Sequence, residues 1–165
     1  MKRSKDRYER DIFRRFSAAA RLRVHPRSVR SCTPPRPDIS CRIAGVPQYF
    51  ELTRIAHRGS ANAMGHYLSQ LTRTGSAAPL GADCYDDRVA LREAVARKAR
   101  KNHQTGRRPS SLLIYIDGVF HPPRMPPEWA RTILEAEGPT RRWSGIWLYD
   151  AACDRIIASW QQECD

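Results

Sequence analysis

Hydrophobic positions along the chain follow two periodicities. Through residues 5–20, Tyr8, Ile12, Phe13 and Phe16 recur at helical spacing, which predicts an amphipathic helix. Glu9 lies three and four residues before Ile12 and Phe13, so it borders the apolar face, whereas Asp11 points away. "RLRVH" at 21–25 reads as a short first strand. The proline-rich "PRSVRSCTPPRP" that follows reads as a loop, because proline can neither continue a helix nor pair inside a sheet. Residues 38–44 and 48–56 then read as two strands, with "AGVP" turning between them and Gly45 free to take a positive φ.

"ANAMGHYLSQLT" (61–72) is a weak helix, and 73–87 is a loop whose closing acids can cap the next element. Residues 88–102 form a second strong helix. At about 100° per residue, with Leu91 at zero, Val95 falls near 40° and Ala94 near 300°. Lys98 falls near 340°, in the middle of this apolar stripe, while Arg92, Arg97 and Arg100 point elsewhere. A lysine centred on a buried face either snorkels or faces a site. "SLLIYID" (111–117) is a continuous apolar run, the pattern of a strand covered on both faces. A short helix over 126–138 and a hairpin of 145–150 with 154–160 close the chain, and no internal repeat is visible. The expectation is α/β: helix, three strands, helices, strand, then a C-terminal helix and β-hairpin. A single domain spans 1–165, with a basic helix in 1–20, a core in 21–117 and the helix and hairpin in 118–165.

Charge changes this picture. The net charge is +12, and residues 1–30 carry +8 and residues 92–108 carry +6, leaving the remainder at −2. Two basic blocks on a nearly neutral body point to a polyanion, most simply nucleic acid, with DNA favoured over RNA. The alternative is a solvated surface of an arginine-rich protein. Five scattered cysteines without a CxxC give no zinc or redox motif and fit a reduced cytoplasmic setting. The N-terminus lacks the apolar run of a signal peptide, and no apolar stretch is long enough to span a membrane. The histidines form no HxxxH or Cys/His cluster. The four tryptophans are expected in core or hairpin packing, and Asp117 in a turn.

Against this background two acids stand out. Asp38 opens the first hairpin strand, and Glu51 lies inside the second, among Tyr49, Phe50, Leu52 and Ile55. Burying a carboxylate costs several kcal/mol unless it is paired or metal-bound. If both face the same side, they form a hard-oxygen site suited to Mg²⁺ or Mn²⁺. Such an ion lowers the pKa of a bound water and neutralises charge on a phosphate under attack. A structural ion pair of Glu51 with a buried arginine is the bland alternative.

Pro37–Asp38, followed after twelve residues by Glu51-Leu52-Thr53, resembles the PD-(D/E)XK nuclease superfamily. The resemblance covers roughly residues 5–117 and implies a restriction-endonuclease-like αβββαβ core with a mixed central sheet. It implies metal-dependent phosphodiester hydrolysis, with Asp38, Glu51 and the carbonyl of Leu52 as ligands of Mg²⁺ or Mn²⁺. It also implies Glu9 as the additional acid on the first helix, and a homodimer is common in such folds. The family pattern has lysine where this chain has Thr53. In some members that lysine sits on the following helix, which makes Lys98 the counterpart here and Lys101 the reserve. The other reading is a catalytically inactive relative that binds nucleic acid or a protein partner. A basic α/β interaction module with salt-bridged acids is a third.

Overall fold

The computed structural model describes residues 2–55, 87–100, 110–117, 126–139 and 143–162. The expected helix over 61–72, the loop over 73–87 and Lys101 lie largely or wholly outside these residues. Ile12, Phe13 and Phe16 form the buried stripe of helix α1, Lys2–Ala19. The backbone leaves the helix at Arg21, which takes a left-handed φ of 52°.

The strands differ from expectation at the start of the sheet. Val24 makes only an isolated bridge to Ile43. The first strand is β1, Arg30–Ser31, taken from the segment read above as a loop. It is tolerated there because it is an edge strand of two residues and the prolines follow it. β2 (Ile39–Ile43) and β3 (Val46–Ile55) form the expected hairpin. Its turn residues, Ala44 (φ 49°) and Gly45 (φ 84°), both adopt left-handed conformations. A two-residue loop of that kind matches the twist of the flanking strands.

Helix α2 (Asp87–Ala99) leads to strand β4 (Ser110–Ile116), and helix α3 (Pro127–Glu137) to the hairpin β5 (Trp143–Asp150) and β6 (Arg155–Gln161). The six strands lie in the order β1-β2-β3-β4-β5-β6. β3, β4 and β5 are parallel neighbours, and the other pairings are antiparallel. The chain is therefore α/β with a mixed open sheet. Every residue of β4 is buried, as its unbroken apolar run predicts.

Side-chain alternation divides the core between two faces. Leu112, Ile114, Ile146 and Leu148 pack with Leu91, Val95, Ile133 and Leu134 of α2 and α3. Leu113, Tyr115, Trp147 and Tyr149 pack with Phe50, Leu52 and the apolar stripe of α1. Phe16 is the hub of the second face, with its ring 5.7 Å from Trp147, 5.9 Å from Tyr149 and 6.1 Å from Phe50. Arg15 fastens α1 to the β5–β6 turn through Asp154 at 2.9 Å and the carbonyl of Ala151. Among the tryptophans the expectation of burial fails for Trp129, which is 49% exposed with the Arg88 guanidinium stacked 4.8 Å from its ring centroid. Trp129 falls in the first turn of α3, off the stripe formed by Ala130, Ile133 and Leu134.

No helix among the described residues is long and apolar enough to cross a membrane. Cys32, Cys41 and Cys153 are free thiols, and burial pushes that of Cys41 up to about 12. Replacing Phe16 with alanine is expected to cost about 3–5 kcal/mol, since it empties the ring position that joins α1 to the sheet. Urea denaturation measures it, and a loss below about 1 kcal/mol would contradict the packing described.

Candidate functional site

The site begins where β2 ends and β3 continues. Their pairing starts at Ile39 opposite Phe50, so the next position outward sets Asp38 across from Glu51. Beyond Phe50 the β2 side of β3 has no strand partner, and the backbone N–H of Leu52 would be left without an acceptor. Asp38 takes that role: its Oδ2 accepts the Leu52 N–H at 2.8 Å. Its own carbonyl accepts from Cys32 N at 2.9 Å, which anchors the residue from the other side. The N–H and C=O of one strand residue point to the same side, so the carbonyl of Leu52 is turned towards this open edge as well.

Alternation places Phe50 and Leu52 against α1, and Glu51 and Thr53 on the face of α2. Helix α2 presents Leu91, Ala94 and Val95 to the sheet, and Lys98 follows on the same stripe with 8% exposure. Its Nζ donates to Glu51 Oε1 at 2.5 Å and lies 3.6 Å from Asp38 Oδ2. Three elements thus bring Asp38, Glu51 and Lys98 together. Glu51, 1% exposed, is in an ion pair, but with a lysine rather than an arginine. Lys98 does not snorkel into solvent.

Glu9 approaches from α1. It is buried and lies 3.5 Å from Lys5 Nζ. Burial, then the charge of Asp38, raises its proton affinity above the ordinary glutamate range, and Lys5 and Lys98 oppose this. All four acid and lysine side chains singled out by sequence therefore share one electrostatic neighbourhood. Tyr115 belongs to it too: burial first, then the negative charge of Glu9, pushes its phenol up to about 12.

Two features were missed by sequence. Asp117 does not merely end a strand, since it accepts a hydrogen bond from Tyr8 and lies 4.0 Å from Arg54 Nη1. Burial and that hydrogen bond both raise the Tyr8 pKa. Arg97, expected to point away, turns back instead, and its Nη2 donates to Thr53 Oγ1 at 2.8 Å. Helical angle locates a Cβ, and a long arginine side chain reaches well beyond it; only the neighbouring neutral hydroxyl could have signalled this contact.

The donor set suits a hard cation. Asp38, Glu51 and the Leu52 carbonyl supply oxygens only, as Mg²⁺ and Mn²⁺ require. Among the described residues, no group of three or more His, Cys, Asp or Glu side chains is gathered closely enough to hold a metal ion. The Lys98 ammonium lies between the two carboxylates, so a metal held there would displace it towards solvent or substrate.

Replacing Lys98 with methionine is expected to destabilise the fold by about 3–5 kcal/mol, because it withdraws the ammonium from a buried carboxylate. Lys98→Met with Glu51→Gln together is expected to cost less than the sum of the two. Chemical denaturation of the full cycle tests this, and additivity within about 0.5 kcal/mol would refute the coupling. Glu9 gives a pH signature. A carboxyl whose proton affinity is raised on folding favours the folded state most below the ordinary glutamate range. Relative to Glu9→Gln, the wild type is expected to lose stability as pH rises from that range through the raised Glu9 value. Parallel stability–pH curves for the two proteins would refute it.

No family model, no curated protein and no solved structure matches the chain.

Proposed function

We infer that the chain is a metal-dependent nuclease that hydrolyses phosphodiester bonds of nucleic acid at the Asp38–Glu51–Lys98 cluster, in the manner of the PD-(D/E)XK superfamily. One observation carries the reading: the carboxylate of Asp38, directly before β2, that of Glu51 on the adjacent β3 and one ammonium from the next helix converge on a single point. The order of elements supports it, with a helix, an antiparallel meander of β1–β3, a helix and a parallel fourth strand. The resemblance implies an αβββαβ order, with which this succession of elements is compatible.

Asp38, Glu51 and the carbonyl of Leu52 would hold Mg²⁺ or Mn²⁺. When bound, the ion supplies Lewis acidity at the phosphate and at a coordinated water. The protein side chains do the rest. Asp38 is fixed by the Leu52 N–H, so its free oxygen has a defined direction. Glu51 is held within the sheet and cannot relax into solvent. Lys98 offers positive charge to the phosphoryl oxygens, where negative charge grows in the transition state. Glu9 adds a further carboxyl from α1, its proton affinity raised by burial and by the charge of Asp38 and opposed by Lys5 and Lys98. Exposed arginines on or beside α1 (Arg7, Arg14, Arg30) and on or just past α2 (Arg92, Arg100) grip the backbone without reading sequence. DNA is the expected substrate, and a homodimer the expected form.

The second reading is a catalytically inactive relative that binds nucleic acid. Thr53 in the family's lysine position favours it, as does the close contact of Lys98 with Glu51, which spends the ammonium on a protein carboxylate. Incubation of purified protein with single-stranded and duplex DNA decides between them. Cleavage is expected with Mg²⁺ or Mn²⁺, absent with EDTA, and reduced to background by Glu51→Gln with the fold intact by circular dichroism. Binding without cleavage in either metal would establish the inactive relative, and cleavage that survives Glu51→Gln would overturn the site.

A further inference from the structure

The cluster has a charge problem. Asp38, Glu51 and Lys98 together carry −1 when ionised, and a nucleic acid strand brings one further negative charge per phosphate. Without a metal, Lys98 is also committed, since its ammonium contacts both carboxylates. In the metal-free site an uncommitted cation beside the cluster would therefore help to hold the strand.

Arg97 meets that need. It is exposed, follows on the same helix directly before Lys98, and donates through Nη2 to Thr53 Oγ1 at 2.8 Å. Thr53 is buried and neutral, so it fixes the guanidinium without neutralising it. Among the described residues no ion pair engages Arg97. A guanidinium has five N–H donors, and one bond to threonine leaves four for an anion. Its planar fork matches two oxygens of a phosphate. Thr53 lies two residues beyond Glu51 on the same face of β3, roughly 7 Å along the strand. That is about the span from one phosphate of a nucleic acid strand to the next.

We propose that Arg97, propped on the Thr53 hydroxyl, is a phosphate-binding residue for the phosphodiester adjacent to the one at the carboxylate–lysine cluster. Thr53 is then a positioning residue, and the position at which the family has lysine supports a positive charge from α2 instead. The proposal rests on the nucleic-acid reading of the site above. It does not require that the site be catalytically active.

Fluorescence anisotropy with a labelled DNA oligonucleotide in EDTA tests it, over a range of salt. Arg97→Ala is expected to weaken Kd about tenfold, as for loss of a charged hydrogen bond. The slope of log K against log salt is expected to shrink by about one phosphate contact. Arg97→Lys keeps the slope but not the full affinity. Thr53→Val, which leaves every charge in place, weakens Kd less and leaves the slope unchanged. Arg92→Ala serves as the comparator for diffuse surface charge on the same helix. If cleavage occurs, Arg97→Ala raises KM and leaves kcat near the wild-type value. Wild-type affinity and slope in Arg97→Ala, or equal effects from Arg92→Ala and Arg97→Ala, would overturn the proposal. A wild-type affinity in Thr53→Val would overturn the role of the prop. Binding that depends on Arg97 without metal-dependent cleavage would refute the nuclease reading while leaving this proposal standing. No binding of DNA by the wild type would refute both.

Discussion

The buried contact between Lys98 and Glu51 sets the terms for the rest of the site. A carboxylate at 1% exposure in the middle of a sheet strand has lost nearly all its hydration. Removing an ion from water costs several kcal/mol, and a well-packed apolar pair of the same volume would serve stability as well or better. The helix that carries Lys98 must therefore dock with its stripe in register, because a rotation by one residue would replace ammonium with Arg97 or Ala99. The sheet must likewise end β2 at Ile39, since Asp38 completes both the ladder and the charge cluster.

That dependence explains which parts of the site could be read from the chain. The inward direction of Lys98 follows from Leu91, Ala94 and Val95, because helix geometry fixes Cβ directions tightly and Lys98 shares their stripe. The convergence of Asp38 and Glu51 follows from a hairpin with a two-residue turn, where loop length fixes register. β4 was legible from its unbroken apolar run. Each of these rests on local geometry or on a strong periodicity.

The features that escaped lack both. β1 consists of Arg30 and Ser31, too short to show alternation, and it exists because an edge position is available beside β2. Arg97 and Asp117 are defined by long-range polar partners, Thr53 and Tyr8, on other elements. Trp129 was expected in the core on residue type alone, but its position on α3 puts it beside Arg88 at the surface. In each case side-chain reach or three-dimensional neighbourhood outweighed the pattern along the chain.

The parallel pairing of β3 with β4 has a consequence for assembly. Ile55 pairs with Ile116 across a long intervening segment, whereas β2 and β3 are joined by two turn residues. Loop-closure entropy opposes the first contact far more than the second. The hairpin with its two acids can thus form as a local unit, with both carboxylates still hydrated. Dehydration of Glu51 waits for the docking of α2 and β4, and the same event delivers the compensating ammonium. The topology couples the loss of water to the arrival of the counter-charge, so no intermediate has to carry an isolated buried anion.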